Sequence, residues 1–230
     1  MLRFGSLLLA AALVAAGCSD DDAGATTTPL PSAEAVLADA AVTMQAVDTL
    51  NYEIELTGAP ITLLGVELRG ARGQYAAPDA SQAVLSAAIG GLVIELGTIA
   101  IGETSWVTNP LTGDWDEYTG SRAFNPAIMF DPELGWRPLL TEDISGARLV
   151  TPVEGENYVV AGTAAGDRVE VLTAGLVESQ PVSLQLSIDR TTGHVTRMEF
   201  STAGDAGETR WVLDLSEFGA EVSINPPQVG

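Results

Sequence analysis

Beyond residue 50, apolar residues recur at every second position, in runs separated by connections only a few residues long. Tyr52, Ile54 and Leu56 alternate with Asn51, Glu53, Glu55 and Thr57. Leu64, Val66 and Leu68 alternate with Gly65, Glu67 and Arg69, and Leu92, Ile94 and Leu96 with Val93, Glu95 and Gly97. A period of two sends successive side chains to opposite faces, so each run reads as a strand with one face buried. Connections this short leave no room for crossover helices, which makes the pairing antiparallel.

Ile99 and Ile101 take the opposite parity from Leu96. A switch of faces across Gly97 requires a turn or a bulge there, because one extra residue exchanges the faces of everything after it. Gly70, Gly73 and the pair Gly90-Gly91 are similar places for a sheet to bend, and together they predict strong curvature.

Residues 32–49 form the best helix candidate. Pro31 precedes it, Ser32 is its N-cap, Glu34 stands in the first turn, and Val36, Leu37, Ala40, Met44 and Val47 fall at helical spacing. Asn109-Pro110-Leu111-Thr112-Gly113 is turn chemistry between a strand ending at Trp106-Val107 and the piece Trp115 to Tyr118. Residues 124–140, with three prolines, read as one short helix starting at Pro126 and then loop. Residues 144–153 and 157–163 look extended, and 167–177 place Val169, Leu172 and Leu176 near helical spacing. Val182 to Ile188 and His194 to Ser201, joined by Arg190-Thr191-Thr192-Gly193, read as a hairpin. Trp211-Leu213-Leu215 is the next strand, and Val222-Ile224 before Pro226-Pro227 reads as an edge strand.

The amino terminus is of another kind. Met1-Leu2-Arg3, an apolar run from Leu7 to Ala16, and Ala15-Ala16-Gly17 before Cys18 stand in the order of a lipoprotein signal, with residues 1–17 removed. Cys18, the only cysteine, is then the lipid anchor. An ordinary secretory signal with an incidental cysteine is the competing reading. Residues 18–31, small, acidic and proline-containing, form a solvated tether, and residues 32–230 have a length compatible with one domain. Without residues 1–17 the chain carries nine Arg, no Lys and 31 acidic residues, a formal charge of -22. Such a surface repels phosphate backbones and anionic headgroups, so no nucleic acid partner is expected and membrane attachment falls to the acyl chains.

Catalytic chemistry is scarce. The single histidine, His194, sits beside a hairpin turn without a nucleophile pair, no phosphate-binding or nucleophile-elbow motif is present, and the lack of Lys excludes Schiff-base chemistry. Asp114, Asp116 and Glu117 are the closest carboxylates, and a solvated loop explains them at least as well as calcium does. No enzyme activity, cofactor or metal is expected.

Several residue runs occur together in order. After Cys18 and the amphipathic helix come the curved strand set, Trp106-Val107-Thr108-Asn109-Pro110-Leu111-Thr112-Gly113-Asp114-Trp115, then Phe124-Asn125-Pro126-Ala127 and Asp131-Pro132-Glu133-Leu134-Gly135. Pro181-Val182 opens a hairpin, and Ile224-Asn225-Pro226-Pro227 closes the series. In this the chain resembles, over most of its length after Ser32, the LppX/LprG family of mycobacterial cell-envelope lipoproteins.

The resemblance implies an α+β fold: a strongly curved antiparallel β-sheet, or half-barrel, with helices packed on the concave face and an apolar cavity between them. It further implies binding of acylated lipid or glycolipid, carried or presented between membrane layers at the outer face of the cell membrane, with a membrane transporter as a partner. Cavity lining then falls on the inward parity of the strands, Ile54, Leu56, Leu92, Ile94, Leu96, Leu184, Leu186, Met198 and Phe200, and on the helical residues Ile128, Met129 and Leu172. For any one of them plain core is the favoured reading, since alternation identifies buried faces without saying what covers them. A docking or assembly lipoprotein with a filled core is the alternative, and a hydrolase built on His194 the weakest reading.

Overall fold

The computed structural model describes residues 29–63, 65–120, 124–151 and 155–228; residues 1–17, Cys18, Leu64 and Val153 lie outside them. Ser32 is the N-cap of α1 (Ala33–Gln45), its hydroxyl accepting from the Ala35 N–H at 3.2 Å, with Glu34 at the positive end of the helix dipole. The helix buries Val36, Leu37, Ala40, Ala41 and Met44. It stops before 49 because the Thr49 backbone is already taken, paired with Ala76 and accepting from the Gly219 N–H at 2.9 Å.

Twelve strands follow: β1 (Thr49–Gly58), β2 (Ile61–Leu63), β3 (Val66–Ala76), β4 (Ala80–Ile89), β5 (Leu92–Ile101), β6 (Thr104–Thr108), β7 (Trp115–Thr119), β8 (Ile144–Leu149), β9 (Asn157–Ala164), β10 (Val182–Asp189), β11 (Val195–Gly204) and β12 (Gly207–Ser216). They form one curved, unclosed antiparallel sheet in the order β7-β6-β5-β4-β3-β1-β12-β11-β10-β9-β8, with β2 pairing β3 beyond the end of β1. The β1–β12 pair joins the two halves, Tyr52 opposite Leu215 and Leu56 opposite Trp211. Register shifts at Leu68/Gly70, Ser187/Ile188 and Ser145/Arg148 bend it. Gly90 and Gly91, with φ of 58° and 87°, make the tight β4–β5 turn.

Three expectations are corrected. First, β5 runs straight through Gly97: its pairing with β4 is continuous from Ala80↔Ile101 to Ile89↔Leu92. The inward face simply changes to smaller residues, Thr98 and Ala100, while Ile99 and Ile101 are on the outer face. Second, residues 124–140 are helical almost throughout, as a 3₁₀ turn (Pro126–Phe130), a π turn (Pro132–Trp136) and α2 (Arg137–Thr141). Each begins with proline in its first turn, where the missing N–H costs nothing, so the three prolines start segments instead of breaking one. Third, residues 222–224 form no strand. The Thr49 hydroxyl holds the tail at the Ala220 carbonyl, 2.7 Å away, and β1, the nearest strand, is paired on both edges by β3 and β12.

α3 (Gly166–Leu172) buries Val169 and Leu172, and the cluster beneath it and the other helical segments is one continuous apolar core. No described helix is long and apolar enough to cross a membrane.

Gly73 shows how closely that core is fitted. A Cβ there would collide with the Gln82 carbonyl and lie 2.7 Å from the Tyr52 ring, which passes over the glycine to place its hydroxyl 2.7 Å from Ser81 Oγ. Burial pushes the Tyr52 phenol up to about 12, against the Ser81 hydrogen bond. Tyr75 also rises to about 12, through burial first and then the charges of Asp131, Asp48 and Asp79. An unfolded phenol ionises near pH 10, so the unfolded chain loses these protons first. Stability is therefore expected to hold below pH 10 and to fall as pH rises to 12, by about 3 kcal/mol from Tyr52 alone. Denaturant midpoints between pH 9 and 12, read beside phenolate absorbance, check this: two of the four tyrosines should ionise only with unfolding.

Candidate functional site

α1 and α2 pack at the β8–β9 end of the sheet, and two short segments cover the middle of its inward face. The first starts at Phe124, whose N–H donates to Ser105 Oγ at 3.1 Å. Asn125 caps the 3₁₀ turn by accepting from the Ala127 N–H at 2.9 Å, and its amide donates to the Asp79 and Gly102 carbonyls at 2.9 and 3.0 Å, pinning the segment to two strand turns. Asp131 caps the π turn, accepting from the Glu133 and Leu134 N–H groups at 2.8 and 2.7 Å. Between the caps, Phe130 is wedged against Tyr52, Tyr75 and Trp136, with ring centroids 5.1, 5.3 and 6.4 Å away. Trp136 is 1% exposed and its indole N–H has no acceptor among the described residues. A buried unpaired donor costs about 1–3 kcal/mol, which weakens the closed arrangement.

The second segment is α3 with the turn after it. Arg168 Nε donates to Asp143 Oδ2 at 2.8 Å, joining α3 to the residues that follow α2. Thr173 Oγ1 donates to the Val169 carbonyl and accepts from the Val177 N–H, and Ala174 takes a φ of 50° to close the turn.

Between these segments and the sheet lies an apolar hollow. Ile54, Ala71, Leu85 and Trp211 line it from the sheet, and Met129 and Leu176 from the cover. Its volume is about 20 Å³, room for about one water molecule and far below the ~300–1,000 Å³ of a ligand pocket. The large cavity implied by the resemblance is thus closed in this structure, because the Phe130 wedge and the turn after α3 reach the sheet. On the outer side of the same cover is a groove of about 550 Å³ between the 3₁₀ and π turns and α3. Ile128, Leu134 and Val171 supply its apolar surface, and Asp79, Asp131 and Glu170 part of an acidic rim. Consecutive residues serve both sides: Pro126 and Met129 face the hollow while Ala127 and Ile128 face the groove, and likewise Thr173 and Leu176 against Ala174 and Gly175. One layer of backbone separates the two.

Of the residues expected at a cavity, Ile54 and Met129 line the hollow. Leu56, Leu96, Leu172, Leu184, Leu186, Met198 and Phe200 are buried in the core around it, and Ile94 packs against that core half-buried. Leu92 is 62% exposed at the β4–β5 tip, where the cover does not reach, and Ile128 is 37% exposed on the groove side. Sequence reading missed Ala71, Leu85, Thr173 and Trp211 at the hollow. Trp211 was legible as a strand residue, whereas Val84 beside Leu85 hides the alternation of β4, and Thr173 reaches the hollow only through the turn after α3.

His194 stacks on Phe218, ring centroids 4.1 Å apart, and burial lowers its pKa against the opposing pull of Asp189. Glu117 accepts from the Trp106 indole at 3.0 Å and Asp116 from the Asn109 amide at 3.1 Å, so both carboxylates serve the β6–β7 turn. Among the described residues no group of three or more metal-ligating side chains occurs.

The LppX_LprAFG lipoprotein family model matches residues 32–224. The fold is similar to the crystal structure of LprF from Mycobacterium bovis, with a TM-score of 0.62 at 16% identity, covering 86% of this chain and 97% of that one. It is similar also to that of the Mycobacterium tuberculosis lipoprotein LppX, with a TM-score of 0.60 at 17% identity, covering 84% and 98%. No curated protein matches the sequence.

Proposed function

Because this chain belongs to the LppX_LprAFG lipoprotein family, we propose that it is a lipid-anchored carrier that takes the acyl chains of a lipid or glycolipid between its sheet and its cover, and presents them between membrane layers. The observation that carries the reading is the one-layer wall between an apolar hollow and an apolar groove. Outward movement of residues 124–136 and 173–176 merges the two spaces without disturbing a strand. The cover consists of short turns, each held by a few hydrogen bonds, whereas the sheet is paired from β7 to β8. Each methylene moved from water into the opened space contributes about 0.8 kcal/mol, so a pair of long acyl chains offsets the loss of the Phe130 contacts. The acidic rim favours an uncharged or cationic headgroup over an anionic one.

The anchor is Cys18, the tether residues 18–31 and the carrier residues 32–230, at the outer face of the cell membrane, with a membrane transporter as the source or recipient of the lipid. Two or three acyl chains hold such a protein firmly where one does not. Cys18→Ala is expected to abolish incorporation of labelled fatty acid into the protein, and unchanged labelling would remove Cys18 from this role.

Protein isolated from a native envelope is expected to release acylated lipid on organic extraction, detected by mass spectrometry at about one molecule per chain. The closed 20 Å³ hollow favours a second reading, a docking lipoprotein that works through its surface. Delipidated protein that keeps full stability, takes up no acylated lipid and captures one stoichiometric protein partner would establish that reading in place of the first.

A further inference from the structure

A recess of about 650 Å³ lies on the outer face of the sheet, away from the cover. It crosses the strands, with Asp214 of β12 at one end and Trp115 of β7 at the other. The Trp115 indole reaches over Gly97 of β5, so four inter-strand steps, from β5 to β12, separate those ends, roughly 19 Å at ~4.8 Å per step. Its occupant is therefore elongated and lies across the strands.

Charged side chains, Glu53, Asp214 and the Arg72 that is ion-paired with Glu95, border it, and two further kinds of chemistry line it between them. Along the middle, three amides from adjacent strands form a hydrogen-bonded row: Gln82 Nε2 donates to Gln74 Oε1 at 2.6 Å, and Gln74 Nε2 donates to Asn51 Oδ1 at 3.1 Å. The row sets which end of each amide donates, and it leaves further N–H donors and carbonyl lone pairs on all three for a ligand. Toward β7 the lining turns apolar, through Val84, Ile99 and the half-buried Trp115. The indole has room to lie there because residue 97 is glycine; a Cβ at that position would sit 3.1 Å from Trp115 Cη2. Thr108 Oγ1 accepts from the Gly97 N–H at 2.8 Å and steadies the same spot.

Acyl chains have no use for an ordered row of amides. Nucleic acids and anionic glycans are opposed by a chain of formal charge -21. A peptide adding as a strand needs unpaired backbone, and along the amide row β12, β1, β3 and β4 are paired on both sides, the open stretch of β5 before Thr98 lying only at the Trp115 end. A neutral sugar polymer matches both parts of the recess. Its C–H faces stack on an indole, and its adjacent hydroxyls pair with amides that offer donor and acceptor together. The geometry points to a binding site for a neutral oligosaccharide, with Trp115 as the stacking platform and Asn51, Gln74 and Gln82 as the hydroxyl-reading row. This site is separate from the hollow under the cover and does not depend on lipid binding.

The test uses the full-length protein in a zwitterionic detergent free of sugar, titrated with hexamers of neutral gluco-, manno- and galacto-oligosaccharides. Trp106, Trp136 and Trp211 are buried, so a change in tryptophan emission reports on Trp115. A saturable shift is expected with at least one of the three. By calorimetry, Trp115→Ala should weaken that sugar at least tenfold, and the double variant Gln74→Leu, Gln82→Leu several-fold, both with native circular dichroism. Arg69→Ala, outside the recess, should leave affinity unchanged. The proposal is overturned if none of the hexamers binds, if folded Trp115→Ala and the double variant both bind like the parent, or if an octa-lysine peptide binds the recess where the sugars do not.

Discussion

Replacement of Phe130 by alanine is expected to cost about 3–5 kcal/mol of stability, the range for truncating a fully buried aromatic side chain. Phe130 is the contact through which the 3₁₀ turn reaches the rings of Tyr52, Tyr75 and Trp136. In a chain of this size the loss corresponds to a fall in melting temperature of roughly 6–20 °C. The same change removes the wedge that holds the cover down. Exchange of a bound acyl probe should therefore accelerate, and Trp136, buried in the parent, should become accessible to a collisional quencher. A melting temperature lowered by less than 2 °C would mean that the wedge is not a principal contact of the cover. Lowered stability with unchanged probe exchange would mean that the cover is not the route of access.

The complementary change fills the hollow from the sheet side. Ala71→Trp is expected to abolish uptake of acylated lipid, at least a hundred-fold in affinity, because the indole occupies the space into which chains must pass. Ala71 stands opposite Ile54 on the neighbouring strand and lines the hollow with Leu85. An indole is far larger than the 20 Å³ of the closed hollow, so it is accommodated only with the cover pushed outward. The cost exceeds the ~1–3 kcal/mol of modest overpacking, and native circular dichroism is the accompanying check that the sheet persists. Bound lipid at parental stoichiometry in a folded Ala71→Trp protein would place lipid somewhere other than between sheet and cover. Oligosaccharide binding at Trp115, on the opposite face, should be unaffected, which separates the two sites in one variant.

Much of the secondary structure was legible because its signals are local. Ser32 and Glu34 marked the start of α1 through cap and dipole chemistry, and the alternation in Val182 to Ile188 marked β10, whereas Gly90-Gly91, expected as a bend within the sheet, is the turn between β4 and β5. The errors share one cause. Ile99 and Ile101 looked like an inward set because they are large and β-branched, but they floor the outer face, while Thr98 and Ala100 turn inward. Val222 and Ile224 have strand chemistry, but β1, the strand beside them, is already paired on both edges. Leu92 keeps its inward parity yet lies beyond the cover, and Ile128 sits one residue from Met129 on the other side of a single backbone layer.

By itself the sequence determined the antiparallel strand succession, the first helix, the poverty of catalytic groups and the resemblance to a lipoprotein family, all properties of neighbouring residues or of composition. Only the tertiary structure decided how far the cover closes onto the sheet, which residues border the hollow, and that the outer face gathers amides and an indole in one recess. Periodicity assigns each side chain to a face of its own strand. The space left between faces depends on contacts such as Phe130 with Tyr52, made by residues far apart along the chain.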